Sequence, residues 1–384
     1  MSLPVALVIT RNLPPLIGGM ERLVWHIVDE LRTEYAVCVV GPEGCSEQLP
    51  SGVEAHEVPL RPLWRFLLGA AWHSLDEARR RRPRLILAGS GLTAPLAWLA
   101  ARLTGARCVV YLHGLDVEAR HPLYRLFWRR SFRHFDQVLV NSLFTRNLAL
   151  AAGVLPERMT LLHPGVALPD MALAASRRTA FRERHGLDDA PVMLYLGRIT
   201  ARKGLAPFIR DILPMIVTAQ PRAKLVVIGE EPTQALNRHT GERQLIEHSL
   251  DANGLNHSVR LLGEFDQDNP EIEAAYFAAD VLVFPVQARA HDNEGFGMVA
   301  IEAAAHGLPT VAFSVGGVTD AISDPRSGHL IPPDANEAFA KAVLACLIPT
   351  PGRATNCRAF ASKFAWTTFG QHLRETFRSQ TTPR

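Results

Sequence analysis

Short apolar runs alternate along this chain with longer stretches in which apolar residues recur at helical spacing. Six runs in the first half predict buried strands, at residues 5–9, 36–40, 85–87, 108–112, 137–140 and 159–162. Five runs in the second half predict further strands, at residues 192–196, 224–228, 260–262, 281–284 and 310–313. Strands that alternate with helices favour an α/β class built from doubly wound parallel sheets.

Each half has its own alternating pattern, which predicts two Rossmann-like domains. Residues 167–190 include a short helical patch flanked by Pro169 and Pro191, as expected of an interdomain linker. We expect an N-terminal domain over residues 1–168, and a linker with a second domain over residues 169–357. A last helix is predicted over 358–377, within a segment 358–384 that we expect to cross back to the N-terminal domain.

The composition is that of a globular protein, with 47% apolar and 21% charged residues among 384. No apolar run reaches the roughly 18 residues that span a bilayer. The five cysteines are odd in number and lack metal-ligand spacing, which indicates a reduced, cytoplasmic protein. Residues 1–165 contain 19 arginines and no lysine against 14 acidic residues, so Lys203 is the first lysine of the chain.

The segment 291–318 carries the most specific chemical signal. Glu294 precedes a glycine turn, and the next helix is predicted over 298–306, ending at Gly307. Free amides at a helix start attract a diphosphate. Here they would come from Gly295, Phe296, Gly297, Met298 and Val299. Glu302, inside the helix, can accept two ribose hydroxyls, and Glu294 can hold hydroxyls of a sugar beyond the phosphates.

Glu294 and Glu302, with seven residues between them, resemble the Glu-x7-Glu motif of glycosyltransferase family four. The resemblance implies a retaining, sugar-nucleotide-dependent enzyme of GT-B architecture, with two Rossmann-like domains facing each other across a cleft. It also implies a reaction that needs no metal and no other cofactor.

Two cations follow the first strand of the second half, Arg198 directly and Lys203 five residues later. Each could give a diphosphate about 4 kcal/mol of gross Coulomb energy at 4 Å and an effective dielectric of about 20. They match the family's diphosphate-binding pair, and we expect both to be catalytic together with Glu294. His113 directly follows the strand at 108–112. The family has a histidine beside the transferred sugar at this place, so His113 is the fourth catalytic candidate. Asp116, nearby, is open to a structural or a functional interpretation.

Three further loops resemble parts of the family's donor site. Gly18 and Gly19 lie in a turn that opens the first helix, where glycine lets a backbone approach a ligand closely. Glu230 follows the strand at 224–228 in a Gly-Glu-Glu-Pro loop near the expected nucleotide. Phe265 lies in a Gly-Glu-Phe loop expected to contact the base.

Several motifs point elsewhere and are rejected. The glycine-rich run at 89–94 matches a dinucleotide fingerprint but does not follow the first strand. Asp266-Gln267-Asp268 mimics a metal-binding motif, yet it precedes Asn269-Pro270 and suits a helix cap better. The arginines at 79–82 are interpreted as a solvated helix end.

Where the family commonly has Pro-Asn-Gly-Val-Asp, this chain has His-Pro-Gly-Val-Ala at 163–167, a segment that is mainly structural.

Residues 120–133 contain five arginines, no acid and several aromatic residues, and residues 61–68 are similar. Such a segment is either an ordinary half-buried helix or a helix on an anionic membrane. Family members often act on lipid-linked acceptors through their first domain.

These observations predict a hexosyltransferase, for a mannose-like sugar, that acts on a glycan or lipid-linked acceptor in cell-envelope polysaccharide synthesis such as that of lipopolysaccharide. Its partners would be a nucleotide-sugar donor, that acceptor and an anionic membrane at the cytoplasmic face of the inner membrane, with no nucleic acid. The alternatives are a glycosyltransferase with a small soluble acceptor, and a non-catalytic nucleotide-sugar-binding protein.

Overall fold

The computed structural model describes residues 3–119, 121–122, 124–231, 241–266 and 269–378. The chain divides into two compact units. The first contains residues 1–165 and 366–384, and the second contains residues 166–365.

The first unit is built on seven parallel strands, which are β1 Val5–Ile9, β2 Ala36–Pro42, β3 Glu54–Val58, β4 Leu85–Ala88, β5 Arg107–Leu112, β6 Gln137–Val140 and β7 Met159–Leu161. Their order in the sheet is β3-β2-β1-β4-β5-β6-β7. The helices are α1 Gly19–Leu31, α2 Leu63–Arg81, α3 Ala94–Thr104, α4 Leu115–Glu118, α5 Arg129–Ser131, α6 Leu143–Ala151 and α16 Trp366–Arg378. This is the Rossmann strand order with one strand added at the edge.

The second unit has six parallel strands, which are β8 Val192–Leu196, β9 Lys224–Ile228, β10 Val259–Leu261, β11 Val281–Phe284, β12 Thr310–Phe313 and β13 Gly328–Ile331. Their order, β10-β9-β8-β11-β12-β13, repeats the Rossmann pattern. The helices are α7 Ala174–Arg184, α8 Leu205–Pro207, α9 Leu213–Ala219, α10 Glu242–Asn253, α11 Pro270–Ala278, α12 Met298–Ala305, α13 Val318–Ala321, α14 Asn336–Leu347 and α15 Arg353–Ala361. The predicted α/β class with two doubly wound domains is confirmed.

The first sheet is covered on both faces. One face packs on buried residues of α2 and α3, such as Phe66 and Ala97, and the other packs on α1 and α16. On α16, Phe369, Leu373 and Phe377 are all buried. Arg374 of α16 also forms an ion pair with Glu30 of α1.

Two strands, β3 and β13, were missed by the sequence analysis. Both lie at sheet edges, where a strand pairs on one side only and does not need a continuous apolar run. In β3, only Val58 is buried.

The segment predicted as one helix over 358–377 contains two. Helix α15 ends at Ala361, a 3-10 turn follows at Ser362–Phe364, and α16 begins at Trp366. The helix is interrupted because Ala365 has extended dihedral angles and pairs with Val166 in an isolated bridge. The chain thus passes between the units at 165–166 and 365–366, whereas the sequence suggested 168–169 and 357–358.

Helix α7, in the stretch interpreted as a linker, belongs to the second unit. The Arg178 and Arg182 guanidinium groups donate to the carbonyls that end α11 and form ion pairs with Asp280. Asp280 in turn accepts from the amide of Val192, the first residue of β8. These contacts attach α7 to the sheet.

We expect Leu373→Ala to lower the free energy of unfolding of the first unit by about 2–5 kcal/mol, because it opens a cavity at a side chain that is 1% exposed. All six tryptophans lie in the first unit, so urea unfolding followed by tryptophan fluorescence reports on that unit. Gln371→Ala, on the exposed side of α16, is the control. Equal effects of the two changes would show that α16 is not part of this core.

Candidate active site

Glu294 is held in place by glycines of a neighbouring loop. The Gly317 amide donates to the Glu294 carbonyl at 2.8 Å. Gly316 has φ +58°, and an added Cβ would lie 2.4 Å from that carbonyl oxygen. Gly297, just before α12, has φ +93°, and its Cβ would lie 2.8 Å from the Phe284 ring. Side chains at either glycine would push the turn away from the sheet.

The Glu294 carboxylate lies in a buried cluster of charges. Its Oε2 accepts from Lys203 Nζ at 2.9 Å and also pairs with Arg202 Nη1. The side chains of Glu294, Lys203 and Arg202 are 13%, 10% and 8% exposed, so water screens these pairs poorly. The predicted residues Lys203 and Glu294 are therefore in direct contact.

Burial and neighbouring charges shift the pKa values of this cluster. Burial opposes the charge on Glu294, yet Lys203, Arg202 and Arg198 together hold the pKa of its carboxyl well below the usual range. Burial lowers the pKa of the Lys203 ammonium group, and Glu294 opposes that shift. Lys203 also lies 4.8 Å from the centre of the Phe284 ring, within cation–π range.

The turn that carries Arg202 and Lys203 is fixed against the end of β11. Residues Ala201–Lys203 form a 3-10 turn, and Gly204 follows with φ +71°. A Cβ on Gly204 would lie 1.9 Å from the Pro285 carbonyl oxygen, so only glycine fits there. Arg198 lies at the end of β8 and is exposed, where it is accessible to an anionic ligand.

Glu302 lies half-buried in the second turn of α12. Its Oε2 accepts from the Tyr276 hydroxyl at 2.7 Å, which orients the carboxylate. Met298 and Val299 form the first turn of the same helix, where amides lack intrahelical partners. Glu302 and these amides thus belong to one element.

A cavity of about 250 Å³ lies beside the loop ends of β8, β9 and β10. It is lined by Ile199, Gly229, Glu230, Arg243, Ile246, Leu261, Leu262 and Gly263. Glu230 therefore lies at a cavity lined by both charged and apolar side chains. Phe265 does not line the cavity and instead packs on the apolar cluster around α11. Pro232, Gln267 and Asp268 lie outside the described residues.

In the first unit, Gly18 and Gly19 lead into α1. A Cβ on Gly18 would lie 2.4 Å from Glu21 Oε2. Glu21 is buried and accepts from Asn12 Nδ2 at 2.9 Å. The glycine turn is thus packed around a buried carboxylate.

His113 is buried at the end of β5, and its Nε2 lies 2.8 Å from the Gly89 carbonyl oxygen. Since a carbonyl only accepts, Nε2 carries a proton, and in the neutral ring Nδ1 remains as an acceptor. Asp116 accepts from the backbone amides of Gly91, His113 and Gly114 at 2.8–3.0 Å. Asp116 is therefore structural, and the glycine-rich run at 89–94 supports His113.

Cys38, His56 and Glu77 form a second polar cluster in the first unit, with ligand-type atoms within 4.8 Å of one another. Cysteine spacing in the sequence gave no sign of it. Arg81 and Arg80 already pair with the Glu77 carboxylate, so its charge is balanced by protein groups.

Both units match known sequence families. Residues 17–168 match the model of Glycosyltransferase Family 4, and residues 190–348 match that of Glycosyl transferases group 1. The chain belongs to glycosyltransferase family four. It is thus a retaining, sugar-nucleotide-dependent glycosyltransferase, as the Glu-x7-Glu motif predicted.

Curated relatives of this family four glycosyltransferase include mannosyltransferases. The chain is 29% identical over 389 residues to the GDP-mannose-dependent alpha-(1-6)-phosphatidylinositol monomannoside mannosyltransferase of Mycolicibacterium smegmatis, covering 96% of this chain and 97% of the relative. It is 34% identical over 223 residues to the D-inositol 3-phosphate glycosyltransferase of Xylanimonas cellulosilytica, covering 55% and 48%.

Solved structures confirm the GT-B fold. Anabaena HepE in complex with UDP matches with a TM-score of 0.80 and 20% identity, over 98% of this chain and all of that one. Sucrose-phosphate synthase from Thermosynechococcus elongatus matches with a TM-score of 0.80 and 22% identity, over 98% of both chains. At these identities the likeness concerns the fold alone.

Two residues of the charged cluster of this family four glycosyltransferase, Arg202 and Asp292, were not predicted from the sequence. Arg202 is buried, and its Nε pairs with Asp292 Oδ1 at 3.2 Å. The only sequence signal was spacing, because Arg202 precedes Lys203 directly and Asp292 precedes Glu294 by two residues. In a chain rich in arginine, that signal does not separate Arg202 from a surface residue.

We expect Glu302→Ala to weaken binding of a nucleoside diphosphate about 10- to 150-fold, because a charged acceptor for ribose hydroxyls contributes about 1.5–3 kcal/mol. Isothermal titration with GDP and UDP measures the loss. Glu337→Ala, an exposed glutamate on α14, is the matched control. Unchanged affinity in Glu302→Ala would contradict the ribose assignment.

Proposed function

We propose that this enzyme transfers a mannosyl group from GDP-mannose to a hydroxyl of an inositol-containing lipid or related lipid-linked glycan in cell-envelope synthesis. The observation that carries the proposal is the near full-length similarity to a GDP-mannose-dependent mannosyltransferase whose acceptor is a phosphatidylinositol mannoside. The charged cluster and the adjacent cavity in the second unit supply groups that suit such a donor.

In this proposal, each group of the second unit has one task. Glu302 accepts the ribose hydroxyls, and the cavity beside Glu230 receives the base. Arg198, Lys203 and the first amides of α12 stabilise the diphosphate as it leaves, where negative charge grows in the transition state. Glu294 orients the sugar. These cations and amides balance the diphosphate, so we propose a reaction without a metal.

Donor and acceptor screening tests the proposal. Of GDP-, UDP- and ADP-mannose, we expect GDP-mannose to give the largest rise in Tm and to be consumed in the presence of phosphatidylinositol monomannoside. D-inositol 3-phosphate serves as the soluble acceptor, because a second relative is named for it. Turnover with D-inositol 3-phosphate alone would replace the lipid acceptor by a small soluble one. Donor binding without turnover on any acceptor would favour a non-catalytic binding protein.

We expect Arg198→Ala to lower kcat about 10- to 150-fold with a smaller change in donor KM, because the loss of a charge-assisted contact of about 1.5–3 kcal/mol falls mainly on the transition state. Arg198 is exposed, so the fold should persist. Arg210→Ala removes another exposed arginine of the same unit, one that pairs with Asp211, and serves as the control. A change in KM alone would show uniform binding instead.

We further propose that the first unit lies on an anionic membrane, where a lipid-linked acceptor would be found. In the described part of the chain, no helix is long and apolar enough to cross a membrane. A surface made by α2, α3 and the π-helical turn Tyr124–Trp128, which pack in that order, supports peripheral contact. We call it the α2–α3 face.

Large apolar side chains are exposed on the α2–α3 face. Trp64, Leu68 and Trp72 lie at intervals of four residues on α2 and are 62%, 64% and 72% exposed. The others are Leu99, Leu103, Leu126 and Phe127. Exposed arginines accompany them at positions 65, 102, 125 and 130. Apolar and basic groups on one surface suit a bilayer with anionic headgroups.

The predicted helix in residues 120–133 is present as an unbroken helical run from Tyr124 to His134, whose hydrogen-bond pattern changes along its length. Tyr124–Trp128 is π-helical, Arg129–Ser131 is α-helical and Phe132–His134 is a 3-10 turn. Trp128 points inward and donates to the Leu92 carbonyl at 2.8 Å. Arg120 and Leu123 lie outside the described residues. The basic contribution therefore comes from Arg125, Arg130 and Arg133, which are exposed.

We expect the protein to sediment with vesicles rich in phosphatidylserine and not with neutral ones, and salt to release it, since the Debye length is about 10 Å at 0.1 M. Trp64→Ser with Trp72→Ser should abolish sedimentation, as should Arg125→Ser with Arg130→Ser, while GDP binding is retained. Ile348→Ser, which removes an exposed apolar side chain of the second unit, is the control. Sedimentation that does not depend on the charge of the lipids would contradict an electrostatic contribution to membrane binding.

A further inference from the structure

Arg202 is a second cation on Glu294, and the proposed function gives it no task. It is 7% exposed. Its guanidinium group contacts two carboxylates, Asp292 through Nε at 3.2 Å and Glu294 through Nη1. Its carbonyl oxygen accepts from the Gln287 amide at 2.8 Å. Arg202 is thus fixed at its backbone and at its side chain.

Lys203 is bound differently, although it is the next residue. Its Nζ contacts Glu294 Oε2 at 2.9 Å, and that oxygen is also the partner of Arg202. No second carboxylate contacts Lys203 among the residues that the structure describes. The two side chains therefore reach one oxygen from a single 3-10 turn. Arg202 is anchored by a second carboxylate, Asp292, whereas Lys203 pairs with Glu294 and lies over the Phe284 ring.

If Lys203 binds the donor diphosphate, N–H groups of its ammonium turn to phosphate oxygens, and its charge is then shared between the diphosphate and Glu294. A buried carboxylate that loses its counterion tends to become protonated or to move. Arg202 prevents both outcomes, because Asp292 keeps it next to Glu294 when Lys203 turns to the diphosphate. Glu294 then remains a charged acceptor for the sugar hydroxyls.

We infer that Arg202, anchored by Asp292, is a positioning residue that holds the Glu294 carboxylate in place for the sugar while Lys203 transfers to the diphosphate. The inference rests on the proposed function, since it takes Glu294 as the sugar-orienting group. It assigns the two adjacent cations to different parts of the donor, Lys203 to the phosphates and Arg202 to the sugar by way of Glu294.

The charged and titratable groups around Glu294 determine the test. They are Lys203, Arg202, Arg198, Tyr195 and Asp292. The three cations lower the pKa of the Glu294 carboxyl, so its ionised form persists to low pH in the native enzyme. Removing Arg202 raises that pKa. Activity that needs ionised Glu294 should then be lost at a higher pH as the solution is acidified.

The experiment compares Arg202→Gln, Arg202→Lys and Asp292→Asn with the unaltered enzyme. For Arg202→Gln we expect kcat to fall about 10- to 100-fold, the size usual for groups that orient a reacting residue. The midpoint of the acid limb of the kcat–pH profile should move to a pH that is higher by about one to three units, which is the effect of losing one nearby opposite charge. Arg202→Lys should restore part of kcat, and Asp292→Asn should lower kcat by less than Arg202→Gln does, because it removes the anchor of Arg202 but not its charge.

GDP affinity separates this role from direct phosphate binding. We expect GDP, which lacks the sugar, to bind Arg202→Gln within about threefold of the unaltered enzyme, since a residue without ligand contact changes binding little. Affinity that falls more than tenfold would make Arg202 a phosphate ligand and overturn the inference. A lowered Tm with an unchanged kcat and acid limb would make Arg202 purely structural and also overturn it.

Further controls keep the outcomes distinct. Arg210→Gln, an exposed arginine paired with Asp211, should leave kcat and the acid limb unchanged. Where Arg202→Gln does not fold, Asp292→Asn carries the test, because its carboxylate is 37% exposed, and an unchanged kcat there overturns the inference. Failure of the unaltered enzyme to bind GDP or turn over GDP-mannose would instead reject the proposed function.

Discussion

The second unit depends on one buried ionic contact, in which the Glu294 carboxylate is shared by Lys203 and Arg202. This contact connects the loop after β8 to the loop after β11. The Gly316–Gly317 backbone, after β12, closes on the same residue from the other side. Removing one partner of a buried ion pair leaves an uncompensated charge, which costs about 3–5 kcal/mol. The three loops are therefore joined at Glu294.

In the first unit a carboxylate also joins neighbouring loops, but it binds backbone amides there and not cations. Asp116 accepts backbone amides from two loops, one after β4 and one after β5, and so fixes the backbone around His113. In both units a carboxylate joins loops at the carboxyl ends of parallel strands, where ligands of such sheets bind. The difference is in the charge that remains. In the first unit the carboxylate binds backbone amides beside the His113 ring, and in the second unit it binds cations.

The central strands and the Glu-x7-Glu segment could be predicted from the sequence because their signals are local. A buried parallel strand is a continuous apolar run, as in Val281–Phe284, and a helix between glycine turns has recognisable ends. The edge strands β3 and β13 were missed because edges need no such run. Phe265 was placed at the base by position alone; it packs on an apolar cluster, and its contact with a base stays a prediction.

Interactions between distant loops could not be predicted in the same way. Arg202 and Asp292 are 90 residues apart and meet only because β8 and β11 are neighbours in the sheet. The exposure of Trp64, Leu68 and Trp72 could not be predicted from the sequence either. Their spacing of four residues indicates one face of a helix, but it does not show whether that face packs on the core. Which face is buried depends on the neighbouring helix, and that is a property of the fold.

The central claim is that Lys203 is a buried cation bound to Glu294 and available to a diphosphate. The chain contains four lysines, so labelling with ¹³Cε-lysine gives a spectrum in which Lys203→Arg identifies one signal. We expect that signal to titrate below the ordinary lysine value of about 10.4 and to shift when GDP is added. A Lys203 signal that titrates with the ordinary lysine pKa and does not shift when GDP is added would contradict the account.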